Sequence, residues 1–291
     1  MEVRLENFKG IKRSSIRREL EIPDPSFLRE AKNIVIANDG SIHCHTGNTN
    51  RTPASTGEFD HIFYSKALNK YVTVKSQNGD VKVHSVDSAG VWTLETTHSA
   101  SLVQGTDTVI GFGPQLVDWP IGNCAYMISG GSGGGDNIYK LHNNGVDFDA
   151  VAVPENPQCI VVHKETLWFS NASTLFPSAN LDPETFDTNN SLNISKGSTY
   201  ITWLASCGGV LYPHKKDNIS AVVGDNFIGT ASDVRILDVD TGVGAMRPSA
   251  GYVYKGLMWF IGPGGFYVCN GEKVKPLGDR LNFQFMRKSV V

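Results

Sequence analysis

An aromatic residue recurs in one short apolar run of each of five stretches of this chain. These residues are Tyr71, Tyr126, Trp168, Tyr212 and Trp259, separated by 55, 42, 44 and 47 residues. Each stretch reads as short strands joined by turn residues. A repeat of about 40–50 residues with four strands is what a β-propeller blade requires. One such sheet cannot bury both of its faces, whereas repeats stacked around an axis bury them against one another. The expectation is therefore an all-β protein: a β-propeller of about five four-stranded blades over residues 59–280. An N-terminal arm and hairpin (1–58) precede it and a short tail (281–291) comes after it. A β-sandwich is the alternative use of the same strands. No segment shows sustained helical periodicity, which argues against an α/β fold.

The last repeat, YVYKGLMWFIGPGGFYVCNGEKVKPL from Tyr252 to Leu277, has the clearest punctuation. Lys255-Gly256, Gly262-Pro263-Gly264-Gly265 and Asn270-Gly271 separate four runs. Asn-Gly favours the positive φ values of a type I′ turn. The final run, Lys273 to Leu277, alternates as an edge strand does. Near the N-terminus, Asn38-Asp39-Gly40 between Ile36 and Ile42 signals another hairpin. The first 32 residues are charged, broken by Pro23 and Pro25, and read as an extended arm with one helical turn around Phe27 to Lys32.

Composition narrows the function classes. A formal net charge of −3 argues against a basic protein drawn to nucleic acid. Five scattered cysteines (Cys44, Cys124, Cys159, Cys207, Cys269) without a Cys-x-x-Cys pair point to buried thiols, not a disulfide framework. No secretory signal or apolar membrane span is evident.

Each candidate for chemistry has a plainer structural reading. Gly130 to Gly135 is followed by Asp136 and Asn137 instead of the Lys-Ser/Thr of a phosphate-binding loop, so it reads as a hairpin loop. Ser85-Val86-Asp87-Ser88-Ala89-Gly90-Val91-Trp92 resembles the Asp-box turn of sialidases with its glycine one residue late. A sialidase-like carboxylate clamp needs clustered arginines, and the chain has none from Thr52 to Val234. Asp238 and Asp240 read as an acidic turn, since no glutamate completes a calcium loop. His43 and His45 could share a strand face but have no third ligand at matching spacing. Trp119 and Tyr200 could stack on sugars, although blade packing is the plainer role. No catalytic residue, metal or cofactor is expected from these patterns.

Two stretches resemble a known family. The head carries Phe8-Lys9-Gly10-Ile11, Ala31-Lys32-Asn33, Asp39-Gly40-Ser41-Ile42 and Gly47. The tail carries Gly264-Gly265-Phe266-Tyr267 and Lys275-Pro276-Leu277. Their order is similar to that of the β-propeller tail proteins of short-tailed bacteriophages, of nozzle, tail-tube or tail-hub type; His45 stands where that pattern has arginine. The resemblance implies a virion structural protein with no enzymatic activity, assembled in the host cytoplasm into a symmetric ring around the DNA-exit channel. Its partners would be other tail or connector proteins, with DNA passing through without sequence-specific binding. Phe8, Gly10, Arg13, Arg17 and Arg18 of the arm are then the candidate interface residues. The alternative is a glycan- or protein-binding propeller.

Overall fold

A computed structural model describes residues 61–74, 80–86, 91–99, 113–129, 137–142, 148–187, 189–224 and 233–277, together with four short strands before them. The chain divides into two compact units, residues 1–50 with 276–291, and residues 51–275.

In the first unit, β1 (Gly10–Ile11) pairs in parallel with β2 (Phe27–Leu28). Phe27 thus begins a strand and not the expected helical turn. Strands β3 (Ile34–Ile36) and β4 (Ile42–Cys44) pair antiparallel, with Ile36 opposite Ile42. This is the hairpin anticipated around Asn38-Asp39-Gly40. Phe8, Arg13, Arg17, Arg18 and His45 lie outside the described residues.

The sheets that the repeat predicted fall in the second unit, apart from the last two residues of the final strand. Blade 1 is β5 (His61–Ser65), β6 (Lys70–Val74), β7 (Asp80–Val86) and β8 (Trp92–Ser99). Blade 2 is β9 (Gln115–Trp119), β10 (Cys124–Ile128), β11 (Asn137–Leu141) and β12 (Phe148–Ala152). Blade 3 is β13 (Cys159–His163), β14 (Thr166–Asn171), β15 (Thr174–Ala179) and β16 (Asp182–Phe186), with β17 (Leu192–Asn193) also on β15. Blade 4 is β18 (Trp203–Cys207), β19 (Val210–Lys215), β20 (Asn218–Val223) and β21 (Arg235–Asp240). Blade 5 is β22 (Gly251–Tyr254), β23 (Leu257–Gly262), β24 (Gly265–Cys269) and β25 (Val274–Leu277). Each strand bonds to the next in sequence, and the first strands touch in the order β5, β9, β13, β18, β22. The architecture is a β-propeller with five four-stranded blades among the described residues. Among these residues no helix is long and apolar enough to cross a membrane.

Turn chemistry explains the tight first hairpins of blades 3 to 5. Lys164-Glu165 (φ 46° and 56°), Gly208-Gly209 (58° and 76°) and Lys255-Gly256 (50° and 72°) each place two residues at positive φ. Type I′ geometry requires this, and it matches the twist of the flanking strands. Asn270-Gly271 differs from expectation. Only Gly271 has positive φ (93°), and the Asn270 side chain accepts the backbone N–H groups of Glu272 (3.1 Å) and Lys273 (2.9 Å). The turn is a four-residue loop held by an Asx bond.

Packing obeys one rule. The third residue of each second strand points into the next blade: Val72, Tyr126, Trp168 and Tyr212 are at most 7% exposed. Tyr126 packs with Ile160, Leu167 and Phe169 of blade 3. Trp168 packs with Leu204, Leu211 and Val222 of blade 4. Tyr212 packs with Met258 and Phe260 of blade 5. Tyr71 is one residue out of this register. The equivalent position in blade 1 is Val72, which packs with Ala125 and Met127 of blade 2.

Candidate functional site

The first strands converge on an axial cavity of about 890 Å3. Its wall is built from the opening residues of β5, β9, β13, β18 and β22 together with the short turn Pro248–Ala250. The charged and polar side chains among its lining are His61, Gln115, Ser206, Arg247 and Ser249.

Local structure positions each of them. His61 starts β5, stacks on Phe63 (centroids 6.3 Å apart) and passes close to Gly113, where an added Cβ would lie 3.2 Å from the imidazole. Gln115 bridges blades 2 and 3, since its Nε2 donates to the Gln158 carbonyl (2.7 Å) and its Oε1 accepts from Ile160 N–H (3.2 Å). That sealed amide is part of the wall. Arg247 stands immediately before the Pro248–Ala250 turn, with Ala250 N–H returning to its carbonyl at 3.0 Å. Trp203 lies flat where a Cβ on Gly251 would be, so only glycine fits there. Ser206 lies three residues further along β18 than Trp203, roughly 10 Å along the strand by its rise. Its Oγ is 2.9 Å from Nδ1 of His163, the buried last residue of β13.

Arg247 brings a permanent positive charge, and no carboxylate is present among the described lining residues. Such a cavity favours an anion or a developing oxyanion. Burial disfavours the thiolate form of four cysteines. It raises the thiol pKa of Cys124, Cys207 and Cys269, and that of Cys159 to about 12. Among the described residues no group of three or more His, Cys, Asp or Glu could hold a metal ion.

Among the described residues, none of the motifs singled out in the sequence lines this cavity. Asp238 and Asp240 belong to the outermost strand of blade 4, where Asp238 pairs with Lys196 and Asp240 accepts Gly242 N–H at 2.8 Å. Gly130 to Asp136 and Asp87 to Gly90 lie outside the described residues, as does the side chain of His43. Trp119 is buried against Tyr126, which is a packing role. The cavity's own residues carry no local signature. Arg247 and Arg235 are the two arginines between Thr52 and Lys275, and that scarcity is the one sequence signal that could have singled out Arg247.

No protein-family model and no curated protein sequence matches the chain. Solved structures do. A protein from Bacteroides uniformis assigned as a 6-phosphogluconolactonase superposes with a TM-score of 0.58 at 12% identity, covering 84% of this chain and 76% of that one. A second, from Bacteroides fragilis and assigned likewise, gives 0.52 at 13% identity, covering 72% and 66%. At this identity the likeness is one of fold.

These matches correct the reading of the ends of the chain. Both of these propellers carry the 6-phosphogluconolactonase name, and neither is a phage tail protein. The tail-nozzle function, the virion location and the expectation of no enzymatic activity therefore give way, and the glycan- or protein-binding alternative gains no support. The physical reason lies in the motifs. Gly262 faces Gly265 across a two-residue turn between β23 and β24, so Gly264-Gly265-Phe266-Tyr267 reports hairpin geometry common to any blade.

Proposed function

We propose that this chain is a propeller enzyme that opens a small cyclic ester, a sugar lactone, inside its axial cavity. The cavity carries the reading. It has the volume of a small-molecule site, all five first strands wall it, and Arg247 is the permanent charge among its described lining residues. Lactone opening develops negative charge on the carbonyl oxygen. A guanidinium held in a partly desolvated wall stabilises that charge more strongly than water does. Arg247 and His61 are the donors that hold the carbonyl or an anionic substituent. The names of the Bacteroides propellers support the substrate class by analogy of fold.

The test is acid release from δ-gluconolactone and its 6-phosphate by the full chain, corrected for spontaneous opening. Acceleration of at least one lactone is expected. Arg247→Gln should lower kcat/KM by about 10- to 100-fold, the worth of one charge-assisted hydrogen bond. A wild-type rate equal to the spontaneous rate with both lactones overturns the reading.

A further inference from the structure

We propose that Ser206, with His163 as its base, is the nucleophile of this cavity and forms an ester with the acyl group of the substrate. The inference rests on the lactone-opening reading and adds a covalent intermediate to it.

Two polar pairs join neighbouring first strands at equivalent places. The last residue of β5, Ser65, pairs with the fourth residue of β9, Asp118. The last residue of β13, His163, pairs with the fourth residue of β18, Ser206. The first pair is chemically closed. Ser65 is fully buried, donates to Asp118 and accepts Leu68 N–H at 3.1 Å, while the other Asp118 oxygen accepts Lys66 N–H at 2.8 Å. Nothing there is left to react.

The second pair differs in each respect that matters. Its serine is half-buried and lines the cavity. The hydrogen bond described at its Oγ is the one to an imidazole nitrogen, a base where the first pair has a carboxylate. The histidine is only 2% exposed, so its ring is held by packing. It is succeeded directly by Lys164 and Glu165, both at positive φ without being glycine. That tight type I′ turn fixes the end of β13. A serine within hydrogen-bond reach of a fixed histidine is the arrangement that activates a hydroxyl for acyl transfer.

The step balances. With the imidazole protonated at Nε2, Nδ1 takes the Oγ proton as Oγ bonds to the acyl carbon. The tetrahedral adduct collapses, the ring C–O bond breaks, and the departing ring oxygen takes that proton as a hydroxyl. Water then gives a proton to Nδ1 and attacks the ester. Oγ leaves and recovers the proton. One water is consumed and nothing is oxidised or reduced.

The experiment treats the intact wild-type protein with an alkyl fluorophosphonate, which reacts with activated serines, and locates the adduct by peptide mass spectrometry. The peptide 197–215 contains both Ser198 and Ser206, and fragment ions separate them. The expected result is one adduct at Ser206, forming about 100-fold or more slowly in His163→Gln, with Ser206→Ala unlabelled and its lactone opening reduced as strongly. No adduct, an adduct elsewhere, or equal labelling of His163→Gln overturns the proposal. So does undiminished lactone opening by Ser206→Ala, which leaves the lactonase reading standing. Labelling at Ser206 in a protein that opens neither lactone overturns that reading and leaves the activated serine. Thermal melts of the variants establish that they are folded, and the wild-type labelling needs no variant.

Discussion

Blades 3 and 5 carry a tryptophan at the same place in the second strand, and only one of the two is covered. Trp168 is 1% exposed against Leu204, Leu211 and Val222 of blade 4. Trp259 is 40% exposed beside its cross-strand partner Tyr252, which is 68% exposed. Residue type, strand and register are the same, so the difference comes from the neighbour. In this fold a blade supplies the side chain and the next blade supplies the desolvation. The repeat in the sequence marks the first and is silent on the second.

The largest expected effect belongs to the covered member. Trp168→Ala should cost about 3–5 kcal/mol of unfolding free energy, as large aromatic truncations in cores do, measured by urea denaturation at pH 7. A loss below about 1 kcal/mol would mean that the blade 3–blade 4 contact does not hold the propeller together, and the comparison would collapse. Gly271→Ala tests the next contact along. Gly271 has φ 93°, and a Cβ there would meet the hydroxyl of Tyr212, the residue that blade 4 sends into blade 5. Strain and overpacking together should cost about 1–3 kcal/mol. The double variant Gly271→Ala/Tyr212→Phe should recover part of it.

Much of this architecture is legible in the sequence, and the failures have physical causes. The runs bounded by Lys255-Gly256 or Asn69-Lys70 declare themselves because turn residues and apolar residues alternate there. The outer strands do not. Strand β21 is almost wholly exposed, and β12 buries little beyond Val151, so neither shows a two-residue apolar period. Strand β15 is hidden by Pro177, which sits in a buried strand opposite Trp168, where proline usually argues against a strand. Tyr71 is the aromatic of the first repeat, but register gives the packing role to Val72, and a shift of one residue changes the face. The cavity is illegible for a different reason. His61, Ser206 and Arg247 line it and His163 holds Ser206; successive members of this set lie about 40–100 residues apart in the chain, and the packing of first strand on first strand brings their segments to one cavity.

The blade 4–blade 5 contact also carries a pH dependence. His214 is buried between Trp203 (4.6 Å) and Phe260 (5.0 Å), and neither ring nitrogen has a hydrogen-bond partner among the described residues. Desolvation lowers its pKa from 6.5 to about 3. The folded state therefore keeps a neutral imidazole while the unfolded chain takes up a proton below about pH 6.5. Stability from this group is complete above that pH and is lost progressively as the pH falls towards 3. Between pH 6.5 and 5 the loss should be about 1.5 kcal/mol, since the slope rises from half to nearly the whole of about 1.4 kcal/mol per unit over that range. His214→Phe keeps the aromatic packing and removes the titration, so its urea midpoint should change less than that of the wild type over the same range. Parallel pH profiles would show that His214 is solvated.

The smallest effect is assigned to the uncovered tryptophan, and it is the most direct challenge to the comparison. Trp259→Ala removes an indole whose outer face meets solvent, so it should cost less than about 1 kcal/mol, as surface changes away from special contacts usually do. Tyr252→Ala, on the same face, should add a similar small amount. Tryptophan fluorescence supplies an independent check. Trp259 should be reached by acrylamide while Trp168 is shielded, so Trp259→Ala should remove the most readily quenched fraction of the emission. A cost for Trp259→Ala close to that of Trp168→Ala, with no change in quenching, would mean that this face is covered in solution. The rule that a blade's second strand is buried by its neighbour would then extend past blade 5.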